Sequence, residues 1–398
     1  MGIACRPSEE GKACSDVVSE KQHGAARATA LTVNPVADGF NWETTGPHKF
    51  RPFKPIYYIT MAVRSSTPSD LIAIDSNYLS RIQLRQDLIR DHADHVVGSL
   101  PSGADAVRET YTYLQDFLLS RYPTLFSREA EKGLFRNHVT QRSLPLELPA
   151  DADPVAALKL MGAMVEDDLF LLRATPEGHL CVALLCCFPS GFDPAEKLGK
   201  VLKDIHGPVP SYDKIGASME RFFSRLEVGK SVVRNNVRGA GNPLFVNPLM
   251  VPMFLAVCFL TVKVLQLGRV ADCIMFFFQW SINTAPELYN VSGNHIYETD
   301  VYEEDMDVDI SKAQIRVELQ TLTRLPKTQA ILFSFKTYLY PVTDIKAEGL
   351  GPEVADAIEG LPKGNAPGMW KYISPGGGWI GTPNLCFFLL SSMLDCVL

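Results

Sequence analysis

The stretch CFPSGFDPAEKLGKVLKDIHGPVPSY, Cys187 to Tyr212, organises the reading of the whole chain. It leaves an apolar strand over residues 180–188 and turns at Pro189-Ser190-Gly191. The pattern then predicts a short helix over about residues 194–205. His206 follows, directly before Gly207-Pro208-Val209-Pro210. Proline fixes φ and pushes the residue before it to extended geometry, so the imidazole is held in one direction. Such a histidine can offer one ring nitrogen to a metal or cofactor while the other bonds to backbone. It can equally cap its own helix, where imidazolium meets the negative end of the dipole. Spacing alone favours the cap, because one histidine is not a metal site.

Upstream, residues 165–172 and 179–188 read as two arms of a hairpin around Thr175-Pro176-Glu177-Gly178. The acids Glu166, Asp167 and Asp168 are expected at its solvated mouth rather than in a metal cluster. Helices are predicted over 78–91, with Leu79, Ile82, Leu88 and Ile89 buried, over 104–122, and over 156–164. His92 and His95, beside Asp91 and Asp94, read as a solvated helix end. Downstream, residues 215–226 form a helix with Ile215, Met219, Phe222, Phe223 and Leu226 on one side. That stripe is either core or one wall of an apolar cofactor pocket.

The second informative block is IRVELQTLTRLP, residues 315–326. Arg316, Glu318 and Gln320 fall on one face of a strand, and Ile315, Val317 and Leu319 on the other. Polar groups converging on one face suit a buried polar pocket, or a solvent-facing strand with cross-strand ion pairs. Residues 330–341 return as the partner strand.

Composition bounds the rest. The 398 residues carry 46% hydrophobic and 21% charged side chains, as a globular protein does. A net charge of −7 argues against nucleic-acid binding through a basic surface. Nine scattered cysteines without a C-x-x-C suit a reducing compartment, and a cytoplasmic location is expected. Residues 1–37 read as a flexible lead.

Both blocks resemble the haem-dependent oxidative N-demethylase alpha-subunit-like family. The first carries its C-F-P-S, K-x-G and I-H-x-P-V-P-x-Y elements, here Cys187–Ser190, Lys197, Gly199, Ile205, His206, Pro208–Pro210 and Tyr212. The second carries R-x-E-x-Q-T-L-x-R-L-P and F-x-x-x-T-Y, at Arg316–Pro326 and at Phe333, Thr337 and Tyr338. A proline-dense entry, Arg51 to Met61, is similar too. The resemblance covers about residues 40–235 and 280–372. It implies an α+β fold with a PAS-like antiparallel sheet flanked by helices, one large domain over residues 38–372. It further implies haem b with His206 as axial ligand. The activity implied is O2-dependent N-demethylation of a small amine, with electrons from a separate reductase. In this reading Arg316, Glu318 and Gln320 line the substrate side or hold the haem propionates. Lys197, Tyr212 and Arg324 hold propionates or position the cofactor. The alternative is a non-enzymatic PAS-type haem-binding or sensor module.

Residues 237–278 interrupt this pattern. They are sparsely charged, aliphatic and broken by prolines, and 244–262 hold no charge. That is nearly a bilayer-spanning length, yet Asn247, Pro248 and Pro252 stand in its first half. The segment reads as an insertion, either a translated intron or a lineage-specific addition. A buried apolar hairpin and a membrane anchor, with membrane association, are the alternatives. The 373–398 tail, Gly-rich and then apolar, reads as similarly atypical.

Overall fold

The computed structural model describes residues 33–59, 63–234, 280–283, 286–292, 309–373 and 388–390. The expectations for the lead up to residue 32, for the 237–278 insertion and for most of the tail lie outside the described residues. In chain order the strands are β1 (Val63–Ser66), β2 (Val97–Ser99), β3 (Phe126–Glu129), β4 (Leu134–Asn137), β5 (Arg142–Pro145), β6 (Asp168–Thr175), β7 (Gly178–Leu185), β8 (Ser231–Arg234), β9 (Trp280–Asn283), β10 (Gln314–Arg324) and β11 (Ile331–Pro341). The helices are α1 (Tyr78–Asp91), α2 (Ala93–Val96), α3 (Ala104–Arg121), α4 (Pro154–Met161), α5 (Leu202–Ile205), α6 (Asp213–Arg225), α7 (Val342–Ala347), α8 (Gly351–Gly360) and α9 (Met369–Ile373). The fold is α+β. Its main sheet runs β1–β8–β10–β11–β6–β7–β2, with β9 also on β10, and β3–β4–β5 make a second sheet. Neighbouring strands pair antiparallel. Among the described residues no helix is long and apolar enough to cross a membrane.

The β10–β11 ladder is unbroken from Gln314↔Pro341 to Arg324↔Ile331. Its turn is pinned by Glu109 of α3, whose carboxylate accepts from the Lys327 and Thr328 amides at 2.6 and 2.7 Å. β8 and β9 lie end to end along the other side of β10. Ser231–Arg234 face Thr323–Gln320, and Trp280–Asn283 face Val317–Gln314. Only Glu318 and Leu319 of β10 separate the two pairings.

Period two sorts the sheet's side chains between two cores. Phe170, Leu172 and Leu322 pack with Leu202, Ile215, Met219 and Phe223. Leu169, Leu171 and Leu332 pack with Tyr78, Ile82, Leu114 and Leu158 from α1, α3 and α4. Each large aliphatic or aromatic side chain so buried contributes about 1.5–3 kcal/mol.

Three local expectations are corrected. The helix over 194–205 is two pieces, a 3-10 turn at Pro194–Lys197 and α5. Gly199, at φ 75°, turns the chain between them. The Gly199 amide then donates to the Cys181 carbonyl at 2.9 Å, and the Cys181 amide to that of Lys200 at 3.0 Å. The segment pairs with β7 instead of extending a helix.

Glu166, Asp167 and Asp168 are not solvated but at most 3% exposed. Lys336 Nζ meets Glu166 at 2.6 Å and Asp75 at 2.7 Å, and Arg85 meets Asp168 at 2.5 Å. Buried charge persists only where it is paired, and these partners come from remote segments.

On α1, whose bounds match the expected helix, Arg85 is buried and Leu79 only partly so. The reach to Asp168 is what draws Arg85 inward.

Candidate functional site

The two motif blocks meet in one cavity between the sheet and α5–α6. Its sheet wall comes from β10 (Arg316, Glu318, Gln320, Leu322), β11 (Phe333, Phe335) and β6 (Phe170, Leu172). The facing wall comes from α5, the turn after it and α6, with Leu202, Ile205, Val209, Ile215, Met219 and Phe223. Tyr57 and Ile59 of the entry, Trp280 and Ser281 of β9, and Met369 and Tyr372 of α9 close the sides. The apolar stripe of α6 is therefore core and pocket wall at once.

His206 lines this cavity as the C-cap of α5. Its backbone N–H donates to the Leu202 carbonyl at 3.0 Å, and Nδ1 lies 2.9 Å from the same oxygen. A carbonyl oxygen only accepts, so Nδ1 is the donor in that contact. Capping and pocket lining, posed as alternatives from the sequence, coexist in one side chain. The ring stacks face to face on Tyr212, centroids 4.8 Å apart and planes 3° apart.

Arg316, Glu318 and Gln320 all face the cavity, as their spacing implied. Arg316 is 1% exposed. Its Nη2 donates to the Phe188 carbonyl and to Thr337 Oγ1 (3.2 Å), and its Nη1 to the Leu288 carbonyl (3.3 Å). Arg316 thus lines the cavity and also fixes the C-F-P-S turn through the Phe188 carbonyl. Its Nε lies 3.6 Å from Glu318 Oε1. Gln320 Nε2 donates to Glu318 Oε2 at 3.0 Å. Burial pushes the Glu318 carboxyl up, against the pull of the Arg316 charge and the Gln320 amide.

Asp168 holds the other side of the same turn. Its carboxylate accepts from the Cys187 amide at 2.7 Å and the Phe188 amide at 2.9 Å, besides Arg85. The neighbouring thiols Cys181, Cys186 and Cys187 are buried. Burial pushes Cys181 and Cys187 up to about 12, and Cys186 well above its ordinary value.

Lys197 also lines the cavity, its Nζ 5.3 Å from the Phe192 ring centroid. Burial and then the nearby Lys200 lower its pKa. Arg324 is the residue the structure does not bring to the cavity lining. Its guanidinium donates to the Leu226 and Phe223 carbonyls at 2.5 Å each and to that of Gln329 at 2.7 Å, tying the end of α6 to the β10–β11 turn. His92 stacks on Tyr289, and His95 Nδ1 pairs with Asp193 at 2.7 Å. Among the described residues no group of three or more His, Cys, Asp or Glu could hold a metal ion.

The family model of the haem-dependent oxidative N-demethylase alpha-subunit-like proteins matches residues 62–249 and 272–374. The chain belongs to this family. No curated protein matches it. The family match takes in both motif blocks and every cavity-lining residue except Tyr57 and Ile59. It begins after the Arg51–Met61 entry and leaves out 250–271, within the apolar segment.

The sequence reading missed Trp280, Ser281, Ser190 and Met369 as cavity residues. Ser190, in the quoted C-F-P-S, was named only as a turn, and nothing local marks the others.

The lining suits haem. A flat apolar macrocycle calls for aromatic and aliphatic walls, which both sides supply. An iron ligand needs an imidazole with one nitrogen tied to backbone, which His206 is. A propionate calls for a cation at the edge, and Lys197 stands in the lining.

Proposed function

We propose that this chain is a haem-dependent oxidoreductase that uses O2 to remove an N-methyl group from a small amine. The observation that carries this is the convergence of His206 and the hydrogen-bonded Glu318–Gln320 pair on one apolar cavity. Haem b, when bound, supplies the iron at which O2 is activated. Each methyl lost consumes one O2, two electrons and two protons, and yields the demethylated amine, formaldehyde and water. Electrons come from a separate reductase: the G-x-G-x-x-G match at Gly376–Gly381 stands in the Gly-rich tail without the strand–turn–helix pattern a dinucleotide site needs, and no four-cysteine cluster pattern is present.

His206 would hold the iron, with its Nδ1 on the Leu202 carbonyl. The b type fits a sequence without the C-x-x-C-H of covalent attachment. Glu318 accepts the ammonium proton of the substrate or holds its charge, and Gln320 fixes the carboxylate rotamer. Arg316 holds the Phe188 carbonyl and steadies Glu318 from the side. The apolar walls exclude water, which strengthens each of these contacts. Lys197, in the lining, would hold a propionate. The cavity and family support a PAS-like description of the sheet and its helices. A reducing, cytoplasmic setting agrees with the cysteine pattern.

The test is the full chain loaded with haem, a methylated amine, O2 and a chemical reductant. Formaldehyde release supports the reading. A protein that takes up haem yet releases none is a sensor or carrier module instead.

A further inference from the structure

We infer that Tyr212 and Gly216 are positioning residues that set the plane of the His206 imidazole. This rests on the reading of His206 as axial ligand.

Three observations carry it. The Tyr212 ring lies parallel to the His206 ring, 3° between planes at 4.8 Å. Gly216, one turn on in α6, leaves the space the tyrosine ring fills. A Cβ there would meet Tyr212 Cε1 at 2.8 Å and Cζ at 3.3 Å. Ser211 sits at φ 60°, a left-handed backbone that a non-glycine residue adopts only when its surroundings impose it. That turn sends the chain back so that Tyr212 comes to lie on the histidine four residues after Pro208.

The tyrosine is held on every side the geometry reveals. Its hydroxyl donates to Met219 Sδ at 3.7 Å. Its amide donates to the Val209 carbonyl at 3.2 Å, and its carbonyl accepts from Gly216 at 2.8 Å. The histidine is held by Leu202 at one ring nitrogen, which fixes a hinge point. A ring stacked on the imidazole face opposes rotation about that point. Imidazole tilt sets how the ring would meet a metal, so the stack would act on a bound group through His206.

The experiment compares Tyr212→Phe, Tyr212→Leu, Gly216→Ala and His206→Ala in the full chain. Two signals are read: the His206 ring resonances in haem-free protein, and the electron paramagnetic resonance spectrum of the haem-loaded protein. Tyr212→Phe keeps the ring, and both signals stay as in the parent. Tyr212→Leu and Gly216→Ala move the His206 resonances, change the g-anisotropy, and weaken haem retention about 10- to 100-fold. Gly216→Ala keeps the tyrosine but presses a Cβ on its ring, so thermal melting of each variant is read alongside to separate a moved ring from a folding defect. If His206→Ala alters the haem spectrum while Tyr212→Leu and Gly216→Ala leave it unchanged, the positioning role is overturned and the ligand assignment stands. If His206→Ala also leaves it unchanged, the ligand assignment itself falls.

Discussion

Arg85 and Asp168 form an ion pair 2.5 Å long with both side chains shut off from solvent, and the carboxylate also takes the Cys187 and Phe188 amides. One side chain therefore joins α1, the start of β6 and the C-F-P-S turn. Replacing Asp168 by Ala strands a buried guanidinium and two amides. The expected loss is about 3–5 kcal/mol of stability, read as a lower midpoint in urea unfolding. An unchanged midpoint would sink this account of the turn.

Glu318→Gln keeps the shape of the cavity and removes the charge. Haem uptake should be unaltered while formaldehyde release falls about 10²- to 10⁴-fold. Rates that stay near the parent's would remove Glu318 from the chemistry.

Arg324→Ala should behave in the opposite way. Three carbonyl contacts are lost, two at the end of α6 and one in the β10–β11 turn, at about 1–3 kcal/mol in stability, while haem affinity is unchanged once the protein is folded. Weaker haem binding in a fully folded variant would return Arg324 to the site.

Asp167 makes stability depend on pH. Burial raises its pKa from 3.8 to about 7 in the folded protein. The folded state then holds a proton that the unfolded chain releases. This contribution is complete below about pH 4, falls as pH rises, and is gone above about pH 7. Asp167→Asn should flatten the stability profile over that window, measured by urea titration at each pH.

Removing residues 235–279 and joining Arg234 to Trp280 through a two-residue linker should leave a folded, haem-binding chain. β8 and β9 already follow one another along β10, with two β10 residues between their pairings. Shortening a loop also gains entropy, about 0.6 kcal/mol per halving. An insoluble product, or a clearly lower melting temperature, would mean the segment is structural.

How much of this was legible varies with the range of the interaction. α1 was readable to the residue because its apolar spacing is local. The face shared by Arg316, Glu318 and Gln320 was readable because strand alternation is local too. The acids at 166–168 were not, since their burial depends on Arg85 and Lys336, 83 and 170 residues away along the chain. The same holds for Arg316. Period two put it on the correct face, but its carbonyl partners at Phe188 and Leu288 come from loops that only the fold brings there. The break at Gly199 was open to reading as a glycine turn, and the helical pattern on either side obscured it.

The buried thiols on and after β7 have a practical consequence. With Cys181 and Cys187 raised to about 12 and Cys186 also raised well above its ordinary value, almost no thiolate exists near neutral pH. An alkylating reagent then reaches these three sulfurs only when β7 lifts away from its neighbours. Followed peptide by peptide in a mass spectrometer, their labelling rates become a clock for the opening of the strand behind the cavity.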